Sequence, residues 1–362
     1  MTAAAPAVLK FGGSSFAEPA AYGELARALS ARLDAERRPL AVVVSAMPGE
    51  TERLRERLHE VDPHPSDDRV AGLLTLADTV SAHLLAAALH RLGRTATVLA
   101  GHQAGLTTDE TFMWARLGDI APEPLRQALT GHQVVVVPGG QAADGRGRPT
   151  WLGKNSSDLS AVAVAVAVGA GRCEIHSDVA GIYSSDPNKV TGTRLLARVS
   201  YGDAAAMSRQ GAKVLHHRAV RLAEQHGIAL VCRHNKAPFT PGTVIGTGDP
   251  ADAVVLNLRS LVLGYPDHAA ADRAHHAFRA DGLDTVRLDD SPRVALIGGY
   301  VDHEESQRRH GLVPGHPAGI PVTEVRNGRT TLHVAADEDA AVRLAQKLHD
   351  DLPSPATAPP TV

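Results

Sequence analysis

The sequence predicts an α/β protein: an open, mostly parallel sheet with helices on both faces, followed by a small α+β domain of ferredoxin-like character. Three observations carry this. Short β-branched runs alternate with Ala/Leu/Arg-rich stretches through the first two-thirds of the 362 residues. Two of those runs, Leu40–Ser45 (LAVVVS) and Val134–Val137 (VVVV), are apolar without a break, as strands covered on both faces are. After the Gly/Pro-rich joint Gly242–Pro250 the order becomes strand, helix, strand, strand, polar loop, strand, helix.

In chain order, Ala7–Phe11 reads as a strand and Ala20–Leu33 as an amphipathic helix. Leu40–Ser45 is the next strand, Val70–Leu92 a helix, Ala96–Leu99 a strand, Pro122–Leu129 a helix and Val134–Val137 a strand. Ser157–Gly169 (SDLSAVAVAVAVG) alternates Ala and Val as a strand would. Its length, its Ala content, its Ser-Ser-Asp opening and its closing Gly169 predict a helix instead. Cys173–Ser177 and Ile228–Arg233 read as strands, Tyr201–Lys213 and His217–His226 as helices. Beyond the joint, Ser260–Gly264, Thr285–Leu288, Arg293–Ile297 and Thr330–Val334 are strands, and Ala269–Ala280 and Asp337–Asp350 are helices. Val301–Pro321 is polar and irregular, and Pro353–Val362 is a Pro/Thr/Ala-rich, disordered tail. The expected domains are therefore 1–247 and 253–352, with 353–362 as tail.

Composition excludes several classes of function. Lys+Arg is 37 and Asp+Glu 40, a net charge of -3, without the basic excess of a nucleic-acid scaffold. Aromatic residues make up 3%, too few for base-stacking platforms. Two cysteines, Cys173 and Cys232, cannot form a disulfide framework or a four-thiolate zinc site, which points to a reducing, cytoplasmic setting. The longest apolar run, Leu159–Ala170, is too short to cross a bilayer, so no membrane partner is expected.

The most informative motif is Leu9-Lys10-Phe11-Gly12-Gly13-Ser14-Ser15 at the end of the first strand. A strand that runs into two glycines and two hydroxyls makes a phosphate cradle. Glycines let backbone N–H groups approach an oxyanion, a following helix adds positive potential, and Lys10 is a fixed cation. Gly147–Asn155 only resembles a P-loop: five residues separate its glycines, and Asn155 stands where Ser or Thr would bind magnesium. No G-x-G-x-x-G opens a first βαβ unit, no G-x-S-x-G elbow is present, and the histidine pairs lack metal-site spacing. Val137-Pro138-Gly139-Gly140-Gln141 ends a strand in glycines where a ligand can approach the backbone. Gly153–Asp158 (GKNSSD) sets a cation, hydroxyls and a carboxylate at a helix mouth. Ser177–Tyr183, Ser185-Asp186-Pro187 and Gly211–His216 add acidic turns and Lys213. Together these describe a magnesium-nucleotide site in an open α/β sheet.

In this order the motifs resemble the aspartate kinase branch of the amino acid kinase family. KFGGSS is similar to its opening K-F-G-G-[ST]-S, VVSAM to its second strand, and GHQAGLTTD to its G-x-Q-A-G-[IL]-x-T-[DN]. LGKNSSDLSA, HSDVAGIYSSDPNKV and YGDAAAMSRQGAKVLHHRAV follow its later motifs, so the likeness runs from about residue 7 to 247. The resemblance implies an amino acid kinase-like fold with an ACT-type C-terminal domain, and ATP with Mg2+ as the phosphoryl donor. It implies phosphorylation of a small amino acid's carboxylate, aspartate to 4-phospho-aspartate first of all. Lys10 and Lys213 would hold the transferring phosphoryl group; Gly12, Gly13 and Ser14 would bond it; Asp158 would orient Lys10 or the metal. Ser177, Asp178, Tyr183 and Asp186 would line the nucleotide, while Ser45, Asp78, Lys154 and Ser157 would face the amino acid. The partners implied are a small-molecule substrate and a second copy in a homodimer.

Against the family pattern, Asp78 replaces Glu, Lys154 replaces the Arg that grips the substrate's α-carboxylate, Asn155 and Ser156 replace glycines, and Trp151 replaces Thr. A lysine cannot reproduce a bidentate guanidinium clamp. All of these changes fall on the amino-acid side. They leave open a paralogous kinase for a different small carboxylate, or a nucleotide-binding protein with little catalysis. The C-terminal region of about 110 residues reads as one ACT module plus a polar insert, where the family carries two. Dimerisation is its expected role.

Overall fold

The structure, a computed structural model, describes residues 5–212, 215–248, 250–298, 303–326 and 328–353. The chain forms two compact units, Met1–Ile182 with Leu215–Thr247, and Tyr183–Val214 with Gly248–Val362.

The chain begins with β1 (Ala7–Phe11), α1 (Ala20–Glu36), β2 (Leu40–Val44), α2 (Glu50–Val61), α3 (Asp67–Arg91) and β3 (Ala96–Val98). It continues through β4 (Leu106–Thr108), β5 (Leu117–Ile120), α4 (Glu123–Gly131), β6 (Val134–Pro138), β7 (Gln141–Asp144), β8 (Pro149–Trp151), α5 (Ser157–Val168) and β9 (Arg172–Ser177). After β10 (Arg198–Ser200) and α6 (Tyr201–Arg209), which belong to the second unit, come α7 (His217–Gln225), β11 (Ala229–His234) and β12 (Pro241–Gly246). The main sheet of the first unit runs β12-β11-β9-β1-β2-β6-β3. Every pairing from β11 to β3 is parallel, and β12 is antiparallel to β11.

Strand side chains alternate between faces. Leu9, Phe11, Leu40, Val42, Val44, Val134 and Val136 bury against α1 and α3, through Leu25, Leu29, Ala82, Leu85 and Leu89. Lys10, between Leu9 and Phe11, therefore points to the other face, which α5 covers over β1, β2 and β9. All of α5 except Val166 is buried. A helix enclosed all round needs no polar stripe, which is why its Ala–Val alternation mimics a strand. Gly169 closes it at φ +68°. α3 is the one described helix long and apolar enough to cross a membrane, and 56% of its most apolar stretch is buried within the protein, as in a core helix.

The second unit continues with β13 (Ala253–Leu256), β14 (Leu261–Gly264), α8 (His268–Ala280), β15 (Thr285–Leu288), β16 (Arg293–Leu296), α9 (His303–Arg309), β17 (His316–Arg326), β18 (Arg329–Ala335) and α10 (Glu338–Asp350). Among the described residues its sheet runs β13-β17-β14-β16-β15, with β18 on β17. Ala270, Ala274 and Phe278 of α8 pack on Leu263, Val294 and Leu296. Ala341 and Ala345 of α10 pack with Val254, Leu256, Val322 and Val190. α10 also braces the loop that opens this unit. Gln346 Oε1 accepts from Thr191 N at 2.9 Å and Oγ1 at 3.0 Å, Ser184 Oγ meets His349 Nε2 at 2.9 Å, and Arg194 Nη2 donates to Pro353 O.

Several expectations change. The stretch Tyr201–Lys213 is helical only to Arg209, because the chain turns at Gly211 with φ +98°. Lys213 lies outside the described residues. The joint Gly242–Pro250 contributes most of β12, since alternate residues Thr243 and Ile245 are buried. Val301–Pro321 contains α9 and the start of β17, where Gly319 at φ +129° accompanies a register shift against β14. β13, too short to stand out in sequence, gives the sheet a further strand. The small sheet β5-β4-β7-β8 and the polar helix α2 are also additions. The tail from residue 354 lies outside the described residues.

Candidate active site

At the C-terminal end of β1, Lys10 Nζ lies 2.8 Å from Asp158 Oδ1 in the first turn of α5. Their side chains are 12% and 8% exposed. The other Asp158 oxygen accepts the His216 backbone N–H at 3.1 Å, fixing the carboxylate from the N-cap of α7. A Cβ on Gly12 would come within 3.3 Å of Lys10 Nζ, and one on Gly13 within 2.8 Å of Ala46 O. Glycine is thus required at position 13, where a Cβ would meet backbone, whereas at Gly12 the neighbour is the movable tip of the lysine. The turn is a single 3-10 stretch, Gly13–Phe16, and α1 starts only at Ala20. The helix expected to lend its N-terminus to the cradle is therefore not α1; α5 opens there instead.

Ser14 Oγ accepts from Asn235 Nδ2 at 3.2 Å, and Asn235 N–H donates to Ser177 O at 2.7 Å. Asn235, just past the end of β11, ties the cradle to the end of β9. Ser177 Oγ donates to Val179 O. Exposed Asp178 opens the following loop, which Thr243 of β12 holds by accepting the Ile182 N–H at 2.8 Å. Tyr183 and Asp186 fall in the second unit. There Tyr183 bridges to Leu195, and Asp186 Oδ1 accepts the Asn188 N–H to shape a turn.

Three of the four residues expected on the amino-acid side, Ser45, Asp78 and Ser157, form a linked group. Ser45 Oγ donates to Ser157 Oγ at 2.9 Å, and Ala46 N–H donates to Asp78 Oδ1 at 2.9 Å. Asp78 is 7% exposed, and burial lifts its carboxyl to about 7, with the Ala46 N–H and the charge of Lys10 offsetting part of the rise. Gln141, named in sequence only as a strand-end residue, donates to Thr75 O and Thr79 Oγ1 and so holds α3 one turn before Asp78. The glycines before it serve packing: a Cβ at Gly139 would sit 2.5 Å from Ser157 Cβ, and Gly140 N–H bonds Ser160 Oγ. They admit α5, where the sequence suggested close approach of a ligand.

The turn bearing Lys154 shows why its glycines are replaceable. Asn155 takes φ +60°, a conformation asparagine tolerates better than most residues. Ser156 has an ordinary φ of -85°, and its Oγ donates to Gly153 O. Arg218 Nη1 and Nη2 donate to Leu152 O and Ala115 O, steadying the turn from α7. Trp151 is buried with Val70, Ala71 and Leu74. Lys154 Nζ reaches Glu52 Oε1 of α2 at 3.0 Å. Among the described residues, no group of three or more His, Cys, Asp or Glu side chains is placed to hold a metal ion. Asn235, Arg218 and Glu52 went unmarked in the sequence. Arg218 lies inside a quoted motif, while Asn235 and Glu52 are identified only by their tertiary partners.

Known proteins share this sequence and fold. The chain is 38% identical over 243 residues to an aspartokinase of Bacillus sp. (strain MGA3), covering 66% of this chain and 57% of that one. It is 38% identical over 242 residues to the aspartokinase of Mycobacterium tuberculosis (strain CDC 1551 / Oshkosh), covering 66% and 56%. It thus spans little more than half the length of these relatives. The fold matches E. coli aspartokinase III in complex with aspartate and ADP, with a TM-score of 0.70 over 96% of this chain and 99% of that one at 21% identity. It also matches the aspartate kinase from Synechocystis, with a TM-score of 0.58 at 28% identity over 81% and 52%. Residues 6–234 match the model of the amino acid kinase family, and the chain belongs to that family.

Proposed function

We propose that this protein transfers the γ-phosphoryl group of ATP to a carboxylate of a small amino acid, aspartate to 4-phospho-aspartate. The observation that carries the reading is the buried Lys10–Asp158 pair over Gly12 and Gly13, beside the linked group Ser45, Ser157 and Asp78. The aspartokinase relatives support it.

In this reading a carboxylate oxygen of the substrate attacks the γ-phosphorus and the bond to the β-phosphate oxygen breaks, releasing ADP. The nucleophile is already ionised, so no general base is required. Catalysis is positioning and charge stabilisation. Lys10, oriented by Asp158, faces the equatorial oxygens, and the motif that carries Lys213 assigns that lysine to the same phosphoryl group. Gly12, Gly13 and Ser14 bond the phosphoryl group, and Ser177, Asp178, Tyr183 and Asp186 serve the nucleotide. Magnesium would arrive bound to the ATP phosphates and would neutralise part of their charge, with Asp158 assigned to orient Lys10 or that metal. Two buried free thiols, Cys173 and Cys232, suit a cytoplasmic setting. The C-terminal unit is assigned to homodimer formation, which light scattering checks.

A second reading, a kinase of the same fold for another small carboxylate, is favoured by Lys154, which bonds Glu52 where a guanidinium fork would stand. Protein, MgATP and hydroxylamine incubated with aspartate and related acids should give aspartyl hydroxamate. Hydroxamate from another acid but none from aspartate would select the second reading, and none from any acid would refute both.

A further inference from the structure

The Lys154–Glu52 pair joins α2 to the turn before α5 across 102 residues of sequence, at 3.0 Å. Its side chains are 36% and 53% exposed. Exposed ion pairs contribute little to stability and open readily. Yet α2 is anchored. Leu54 and Leu58 pack on Trp151, Val70 and Leu74, and the Arg55 guanidinium lies 6.0 Å from the centre of the Trp151 ring. Glu52, one turn before Arg55, is thereby presented to Lys154. The loop leading into α2 supplies Ser45, bonded to Ser157, and the Ala46 N–H, bonded to Asp78. Glu52 thus stands on the helix that this loop opens, next to residues assigned to the amino-acid side.

We propose that Glu52 determines substrate specificity: its pair with Lys154 opens to accept an α-amino acid, whose α-carboxylate takes the lysine and whose α-ammonium takes the glutamate. This rests on the kinase reading above and names the substrate class of that same site. A zwitterion and an ion pair each carry no net charge, so the exchange leaves the local charge balance unchanged. Asp78, also assigned to the amino-acid side, is buried, engaged by the Ala46 N–H and raised to about 7. A carboxyl that holds its proton near neutrality is a poor partner for an ammonium. The Glu52 carboxyl is shifted the opposite way. Partial burial pushes it up, but the Lys154 hydrogen bond and the Arg55 charge outweigh this and keep it below its ordinary value.

The test compares aspartate with succinate, which lacks only the ammonium group. Binding of each acid to the wild type and to Glu52→Gln is measured by titration calorimetry, beside KM values from hydroxamate formation. The wild type should favour aspartate. In Glu52→Gln the aspartate Kd and KM should rise roughly two- to fivefold, an exposed charge pair's worth, while ATP is unaffected and succinate, which no longer competes with Glu52 for Lys154, binds no more weakly. Glu52→Asp should recover part of the preference. An unchanged aspartate-to-succinate ratio in Glu52→Gln, a lower aspartate KM, or a wild type that does not distinguish the acids would each overturn the proposal. Preference intact in calorimetry with no hydroxamate formed would strike the kinase reading alone.

Discussion

Two lysines face two carboxylates in the first unit, and the pairs differ in burial far more than in length. Lys10–Asp158 spans 2.8 Å at 12% and 8% exposure; Lys154–Glu52 spans 3.0 Å at 36% and 53%. The first is enclosed by a strand, a buried helix and a glycine turn, and a backbone N–H holds the second oxygen of its carboxylate. Removing one partner there strands a buried charge, which is costly. The second lies where water competes for both partners, and separating it costs little. A buried pair is thus suited to holding a cation in one place through the reaction, and an exposed pair to being taken apart by a ligand.

That contrast can be broken at either pair. Lys10→Ala should lower kcat by roughly 10²–10³, as loss of one preorganised donor to a developing charge does, with circular dichroism unchanged. Near-normal turnover would remove Lys10 from the phosphate role. Lys154→Ala should act mainly on KM for the amino acid, raising it about tenfold, and leave KM for ATP in place. A fall in kcat as deep as that of Lys10→Ala would erase the distinction. The smallest effect concerns Asp78. Its folded carboxyl titrates at about 7 against an ordinary value of 3.8. Between those values the folded chain keeps a proton that the unfolded chain has released. Its contribution to stability is thus present below the lower value and lost as pH rises through about 7. Thermal melts of the wild type should therefore drop more between pH 5.5 and 8 than those of Asp78→Asn; equal drops would show that Asp78 is not the group responsible.

The phosphate end was readable because its signals are local. Lys10, Gly12 and Gly13 follow one another, and the uninterrupted runs of β2 and β6 can only be strands buried on both sides. The helix α5 is legible from its length, its alanines and its closing Gly169, although its Ala–Val pattern argues for a strand; the expected N-cap serine, Ser156, bonds Gly153 O instead of capping an N–H. What sequence could not supply was pairing over distance. Nothing in Glu50–Val61, a polar helix with no buried residue, marks Glu52 as the partner of Lys154. Asn235 is one asparagine after a strand until its contact with Ser14 is seen. The end of α6 was overrun because Gly211 sits inside a motif whose other residues continue a helical pattern. β12 was passed over as a joint because its glycines and proline outweighed two buried side chains.

The bracing of the loop after Tyr183 by α10 sets an order of events during synthesis. Thr191 and Gln346 are separated by 155 residues, so the loop leaves the ribosome long before its anchors exist. Until α10 and Pro353 beyond it have been made, Ser184, Thr191 and Arg194 lack these partners. A nascent chain paused before residue 346 would expose this loop to proteases and chaperones, while the same segment in the finished protein is held at several points.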